Sequence, residues 1–129
     1  MGKKQINPWR WQDVYGFSQA WKIDGVRSLI VISGQASISA DGVVMHLGDF
    51  RAQVRRTFEN LQLVLKEAGA TLDDIVKLGV YLVNMNNLPD YGAVQAEFFK
   101  GPMPAQTVVE ISSLALSGMM IEIEATAVR

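Results

Sequence analysis

The chain has 129 residues, of which 49% are hydrophobic and 19% charged, and its formal net charge at pH 7 is −1. This length is enough for one ordinary hydrophobic core but not for two, so we expect a single domain over residues 1–129. Without cysteine there is no disulfide framework, thiol nucleophile or cysteine-based zinc site, and the single histidine, His46, offers little for a metal site or a Ser-His-Asp triad.

The first residues predict neither an export signal nor a membrane anchor. Met1–Gln5 is basic but runs into Asn7-Pro8-Trp9-Arg10, where a secretory signal has an apolar core of about 7 to 15 residues. The longest apolar stretches, residues 28–33 and 80–83, are far shorter than the roughly 20 residues of a membrane-spanning helix. We therefore expect a cytoplasmic protein without membrane contacts.

The first third of the chain predicts strands. Residues 18–26 are a candidate first strand, and residues 28–32 are a clear second one, rich in β-branched and aliphatic side chains and followed by Ser33-Gly34. Within residues 37–45, Asp41-Gly42 followed by two valines predicts a hairpin turn.

A helix and a central strand are predicted next. Asp49 can cap a helix whose apolar residues recur every three or four positions, and Gly69 is typical of its end. The apolar residues are Phe50, Val54, Phe58, Leu61, Leu65 and Ala68. Residues 71–74 predict a turn, and residues 75–83 predict a strand whose two faces are both fairly apolar, as in the middle of a sheet.

A second helix and two more strands complete the chain. The helix has Pro89 in its first turn, Gly101-Pro102 at its end and an apolar stripe of Leu88, Tyr91, Val94 and Phe98. Gly92 lies inside it, at a cost of about 1 kcal/mol relative to alanine. Residues 105–111 and 119–128 predict the last two strands. In the final one, Ile121, Ile123, Ala125 and Ala127 share one face, and Met120, Glu122, Glu124 and Thr126 share the other.

This order of elements predicts an α+β fold in which two helices cover one face of a mixed sheet of about six strands. The other face would then expose apolar parts of Tyr81, Val83, Val108 and Met120. A second copy of the chain is the simplest cover for such a face, so we expect assembly. The alternative is a monomer whose sheet is half solvated.

Several blocks of the sequence resemble the RidA/YjgF family, some of whose members are labelled endoribonuclease L-PSP. They are Phe17-Ser18-Gln19-Ala20, residues 29–35, Gly48-Asp49-Phe50 with Gln53, residues 58–61, 72–77 and 91–99, and Pro104-Ala105 leading to residues 121–125. The blocks follow the family's order and spacing over nearly the whole chain from Phe17 onward. The resemblance implies a homotrimer of chorismate-mutase-like subunits with equivalent small-molecule clefts between neighbours.

The resemblance also implies a reaction. Members similar to the type enzyme hydrolyse reactive enamines and imines to a keto acid and ammonia, with no cofactor and no metal. An imine carbon is already electrophilic, so the protein need only position a water molecule, move one or two protons and hold the substrate. The pair Asp73-Asp74 supplies too few ligands for a metal site and is typical of a turn.

The family's chemical residues carry over unevenly. Glu122 falls on the carboxylate that handles water or protons, and Ser33-Gly34 falls on the loop that lines the same cleft. Gln106 stands where the family's deaminases have the arginine that clamps the substrate carboxylate. The loss of one partner from a buried charge pair costs about 2–5 kcal/mol, so we expect a neutral or differently shaped ligand. The alternative is that Glu122 faces solvent together with Glu124, as part of the ordinary alternation of side chains along a strand.

The remaining candidate residues would complete the walls of the cleft. Phe17 stands where the family has a tyrosine, Val108 where it has a cysteine, and Gly92 where its second helix has an asparagine. Met120 would form an apolar wall together with Phe17 and Val108. Arg10 is the cation that we would test as a replacement for the missing arginine; the alternative is that its Trp-Arg-Trp segment anchors the subunit surface.

Two functions stay open. The first is an enzyme in which Glu122 catalyses hydrolysis or deamination of a small reactive metabolite. The second is a non-catalytic trimer that binds a metabolite or a protein in the same clefts. RNA cleavage is disfavoured, and no nucleic-acid partner is expected, because an isoelectric point near 5.8 indicates no basic groove for a phosphate backbone.

Overall fold

The computed structural model describes residues 1–129 and has the α+β architecture that the sequence predicts, with six strands and two α-helices. The strands are β1 (Gly2–Ile6), β2 (Ala20–Asp24), β3 (Leu29–Gln35), β4 (Ile75–Leu82), β5 (Ala105–Glu110) and β6 (Ile121–Val128), and the helices are α1 (Phe50–Glu67) and α2 (Leu88–Phe98). Short 3₁₀ turns at Trp11–Tyr15, Leu72–Asp74 and Met85–Asn87 connect some of them. No helix is both long and apolar enough to cross a bilayer.

The strands divide into a mixed sheet and a separate ribbon. The sheet has the order β3-β6-β4-β5, in which β4 runs antiparallel to β6 and parallel to β5. β4 is therefore an inner strand, as its two apolar faces predict. β1 and β2 form the antiparallel ribbon. The sequence did not predict β1, because Gly-Lys-Lys-Gln-Ile has no apolar alternation and four of its five residues are exposed.

Both helices pack on one face of the mixed sheet. α1 begins after Asp49, whose carboxylate accepts a hydrogen bond from the Ala52 amide at 3.1 Å, so the predicted cap is confirmed. The core joins buried residues of both helices to buried residues of β4 and β6; its fully buried members include Val54, Phe58, Leu61, Leu65, Val94, Leu78, Leu82, Ile121 and Ile123. Each such side chain stabilises the fold by about 1.5–3 kcal/mol, which fixes the register of the central strands.

The opposite face of the mixed sheet carries no helix. Glu122, Glu124 and Thr126 of β6 alternate with buried residues and point to this open face, as predicted. Val31 and Leu29 of β3 share it, with 77% and 63% of their surfaces exposed. The open face is therefore partly apolar and partly charged.

Val108 lies on the face of the mixed sheet opposite to the one that the sequence predicts. Val108 pairs with Val80, which is buried beneath the helices, and it packs against the core. Directly paired residues share a face of a sheet, so Val108 belongs to the helix side, and its neighbours Thr107 and Val109 belong to the open face. The prediction that Val108 lies on the open face is wrong.

Candidate functional site

Two concave surfaces contain most of the residues singled out from the sequence. The larger one, the amide cleft, has a volume of about 800 Å³ and lies between the turn Trp11–Tyr15, α2 and β5; Phe17, Tyr91, Gly92, Gln95, Gln106 and Val108 are among the residues that line it. The smaller one, the carboxylate groove, has a volume of about 310 Å³ and is lined by Gly34, Tyr81, Ile111, Ser113, Leu114, Glu122 and Glu124.

The two concave surfaces lie on opposite faces of the mixed sheet. Gln106 pairs with Leu78 on β4, whereas Glu122 pairs with Tyr81. Leu78 and Tyr81 are an odd number of positions apart, so their side chains point to opposite faces, and each pair shares the face of its β4 member. Leu78 is completely buried under the helices. Within one subunit, Gln106 and Glu122 therefore cannot meet in a single cleft.

In the amide cleft, Gln106 is held by α2. Its Oε1 atom accepts hydrogen bonds from the Tyr91 hydroxyl at 2.6 Å and from Gln95 Nε2 at 3.1 Å. Tyr91 and Gln95, one helical turn apart, are each only 1% exposed. Burial raises the pKa of Tyr91 far above its ordinary value, because the phenolate would lose its hydration. The Tyr91 hydroxyl therefore stays protonated at neutral pH.

The walls of the amide cleft are mainly apolar. Ten of its sixteen lining residues are hydrophobic, and none is lysine, arginine or histidine. The Phe17 ring packs edge-on against Trp11 with ring centres 5.8 Å apart. A β-carbon on Gly92 would meet no atom within 4 Å, so this glycine leaves open space in the wall. The amide cleft is suited to an apolar ligand and lacks a cation for a carboxylate.

Arg10 and Met120, two of the predicted site residues, are absent from the linings of both concave surfaces. The Nε atom of Arg10 lies 2.8 Å from Oδ2 of Asp13, and the Arg10 side chain is 83% exposed. Because Arg10 is already paired with Asp13, it does not replace the missing guanidinium within the subunit. Met120 packs against the core, and its backbone N–H donates to Gln53. The expectation that Met120 forms a wall is not met in the single subunit.

The carboxylate groove forms where β3 bulges beside Glu122. The pairing of β3 with β6 shifts by one residue between Ile32 and Gln35, so that Ser33 and Gly34 stand opposite the single residue Glu124. A β-carbon on Gly34 would lie 2.7 Å from Cδ of Glu122, closer than two carbon atoms can approach. Glycine is therefore required at this position for Glu122 to keep its conformation. Ser33 belongs to the same bulge but does not line the groove.

A second carboxylate, Glu124, lies in the groove and has a partner of its own. The Tyr81 hydroxyl donates to Glu124 Oε1 at 3.1 Å, which raises the pKa of Tyr81 because ionisation would remove this hydrogen bond beside a negative charge. Glu122 is half-buried and makes no side-chain hydrogen bond within the subunit. Of the two acids, Glu122 is the one free to bind water or a ligand.

Gln53, which belongs to one of the resemblance blocks, has a structural role. It is completely buried on α1, and its Nε2 atom donates to the Gly118 carbonyl at 2.9 Å while its Oε1 accepts from the Met120 N–H at 2.9 Å. These hydrogen bonds hold the loop before β6 against α1. They therefore fix the start of the strand that carries Glu122.

Sequence reasoning missed Tyr91, Gln95 and Tyr81 as site residues. Gln95 gave the clearest signal, since it is a polar residue one turn from Tyr91 on the apolar side of α2. Little functional weight falls on His46 or on the pair Asp73-Asp74. His46 is exposed, and Asp73-Asp74 forms the predicted turn, in which Asp74 completes a capping box with Thr71.

Comparison with known proteins gives consistent matches. The profile of the family described as Endoribonuclease L-PSP matches residues 10–129. A RutC family protein of Pyrococcus abyssi is 37% identical over 111 residues, which cover 86% of this chain and 84% of the relative. The 2-iminobutanoate/2-iminopropanoate deaminase of Dermatophagoides farinae is 29% identical over 117 residues, covering 91% and 88%. The crystal structure of a Rid-family protein of unknown function from Yersinia pestis aligns with a TM-score of 0.91 at 34% identity over all of both chains.

Proposed function

Because this chain belongs to the endoribonuclease L-PSP family, the RidA/YjgF family that its sequence blocks resemble, we propose that it hydrolyses a small imine or enamine in clefts shared by copies of a homotrimer. The observation that carries this proposal is the placement of Gln106 and Glu122 on opposite faces of one sheet. When the amide cleft of one copy faces the carboxylate groove of the next, the two residues line a common cavity. The exposed Val31 and Leu29 would be covered by the same contact.

The reaction assigned to this cavity needs only a base, a water molecule and a binding surface. Glu122 takes a proton from water as the water oxygen bonds to the imine carbon, and the C=N electron pair moves to nitrogen, which is protonated. Glu122 then takes the hydroxyl proton of the resulting carbinolamine and passes it to the nitrogen, and the C–N bond breaks as the C=O bond forms and ammonia leaves. One imine and one water thus give one carbonyl compound and one ammonia. An enamine enters the same sequence after protonation at carbon.

Glu122 is favoured over Glu124 as the base by the surroundings of the two carboxylates. Tyr81 already donates to Glu124, whereas Glu122 has no such partner in its subunit. The glycine bulge of β3 makes room for the Glu122 carboxylate itself, which packs against Gly34. A carboxylate without a fixed partner is available for water, which is what the proposed step requires.

Ammonia release tests this function. The assay generates 2-iminopropanoate and a set of imines without a carboxylate in place with amino-acid and amine oxidases, and it compares wild type with Glu122→Gln. We expect wild type to accelerate ammonia release from at least one imine. The rate with Glu122→Gln should be at least about 100-fold lower. Glu124→Gln is the matched control and should keep most of the activity. Equal losses in the two variants would contradict the assignment of the base.

A second candidate is a non-catalytic trimer that binds a metabolite or protein in the same cavity. It is favoured by one observation, the absence of any cation from the lining of the amide cleft. Under this alternative, ligands raise the melting temperature of the trimer while wild type and Glu122→Gln both stay at background turnover. The same absence of basic residues gives no support for RNA cleavage, for which salt-sensitive RNA binding would be needed.

A further inference from the structure

The hydrogen bonds of Gln106 determine which ligand group it can hold. Both side-chain hydrogen bonds that it makes in the subunit end on its oxygen, one from the Tyr91 hydroxyl at 2.6 Å and one from Gln95 Nε2 at 3.1 Å. An amide oxygen has two lone pairs, so these two donors saturate it. The Nε2 group has no partner in the subunit and is not among the buried unpaired atoms. The part of Gln106 left for a ligand is its pair of N–H donors.

Tyr91 and Gln95 keep the amide in this orientation. Both side chains are almost fully buried on α2, so water cannot replace either donor. If the Gln106 amide turned over, its NH₂ group would face the NH₂ group of Gln95, and two donors would meet without an acceptor. As long as Gln95 keeps its observed orientation, the orientation of the Gln106 amide is set by the helix.

The surroundings of this donor disfavour an anionic ligand. The lining of the amide cleft has no basic residue, and its one charged side chain, Asp13, is an acid whose partner Arg10 does not line the cleft. A carboxylate that entered the cleft would exchange its hydration for apolar walls and neutral N–H groups. A neutral oxygen acceptor gives up far less hydration and can accept the same hydrogen bond.

We propose that Gln106 is a donor-only anchor that selects an uncharged carbonyl oxygen on a small apolar molecule, with Tyr91 and Gln95 as positioning residues. This inference rests on the proposed function in taking the amide cleft as the ligand site. It assigns the substrate class: an imine that carries a neutral ketone, ester or amide group where the substrates of the family's deaminases carry a carboxylate.

Two ligands of nearly the same shape test the anchor by calorimetry. Cyclohexyl methyl ketone carries a neutral acceptor, and cyclohexanecarboxylate carries a charge on the same ring. We expect wild type to bind the ketone at least about tenfold more tightly than the carboxylate. Equal affinity for the two ligands, or no ketone binding at millimolar concentration, overturns the inference.

Substitutions at Gln106 separate the donor from the shape of the side chain. Gln106→Glu keeps an oxygen for Tyr91 and Gln95 but removes both N–H donors, so ketone affinity should fall about tenfold. Gln62→Glu makes the same charge change at an exposed position of α1 and should alter neither affinity. Gln106→Arg should raise carboxylate affinity at least tenfold and reverse the preference. If Gln106→Glu fails to fold, the wild-type ratio and Gln106→Arg decide the matter.

The positioning role has a separate readout. Tyr91→Phe keeps the buried ring but removes one of the two donors that orient Gln106, so the ratio of ketone to carboxylate affinity should fall severalfold. A purely structural role would lower both affinities together and leave the ratio unchanged, which would overturn this part of the inference.

The binding experiments test the anchor, and the turnover experiments test the enzymatic function, so either claim can be refuted without the other. If the ketone preference is found and depends on Gln106 but no imine is hydrolysed, the anchor stands and the proposed enzymatic function is wrong. If imines are hydrolysed but Gln106→Glu leaves the ketone preference unchanged, the enzymatic function stands and the anchor is wrong.

Discussion

The glycine in the β3 bulge allows the role of Glu122 to be tested without removing its carboxylate. Gly34→Ala places a methyl group 2.7 Å from Cδ and 2.8 Å from Cγ of Glu122. Carbon atoms in contact stay about 3.5–4.0 Å apart, so the Glu122 side chain must retreat by roughly 1 Å. The obstructing atoms belong to a flexible side chain, and Gly34 is not among the glycines with positive φ. We therefore expect the fold to survive while the carboxylate moves.

A displacement of this size has a large effect on a rate and a small one on stability. A shift of about 1 Å in a reacting group can reduce a rate about 100-fold, which corresponds to about 2.7 kcal/mol of activation free energy. We expect Gly34→Ala to lower kcat/KM for ammonia release by this factor. The free energy of unfolding in urea should change by no more than about 1 kcal/mol.

Gly79→Ala provides the matched control. A β-carbon there would lie 2.7 Å from Oε1 of Glu124, so the same methyl group displaces the neighbouring carboxylate of the groove. Because Glu124 is already bound to Tyr81 and is not the proposed base, kcat/KM should fall less than about threefold. Wild-type activity in Gly34→Ala, or equal losses in both variants, would refute the reasoning.

Three further expectations concern stability. Gly92→Ala adds a β-carbon that meets no atom within 4 Å, so urea denaturation should show a gain of up to about 1 kcal/mol from helix propensity; a loss would mean that the wall of the cleft is tighter than described. Gln53→Leu leaves the Gly118 carbonyl and the Met120 N–H without their partner, and the free energy of unfolding should fall by about 2–5 kcal/mol; a change below about 1 kcal/mol would contradict the structural role. Because the pKa of Tyr91 is raised in the folded state above the ordinary 10.0, its stabilising effect is complete below pH 10 and is lost as the pH rises beyond it; the melting temperature of Tyr91→Phe should fall less steeply above pH 10 than that of wild type, and parallel curves would contradict the burial of the hydroxyl.

The elements that build the core were predictable because their apolar residues repeat at regular spacing. α1 follows a three- or four-residue repeat with a cap at each end, and β6 alternates between buried residues and the open face up to Ala127. β1 lacks such a repeat and is a strand only because it pairs with β2. Val108 was placed on the wrong face because its side depends on the parallel register of β5 with β4, which no local pattern encodes.

The candidate site was predictable in its residues but not in its arrangement. The resemblance pointed to Gln106 and Glu122, and the register of three strands then separates them onto two faces of the sheet. The hydrogen bonds from Tyr91 and Gln95 to Gln106 depend on how α2 packs over β5, which is a contact between segments distant in the sequence. Arg10 lies close to Phe17 in sequence, but the 3₁₀ turn places Asp13 within salt-bridge distance of Arg10.

Mixing two impaired variants is the most direct test of a site shared between copies. Glu122→Gln removes the base from the carboxylate groove of a subunit, and Gln106→Glu removes the N–H donors from its amide cleft. If neighbours in a cyclic trimer each supply one half, refolding the two variants together in equal amounts creates intact cavities at about one quarter of the interfaces. Imine hydrolysis should then return to about a quarter of the wild-type rate. A mixture that sediments as a well-folded trimer but is no more active than the average of the two variants alone would contradict a shared cavity.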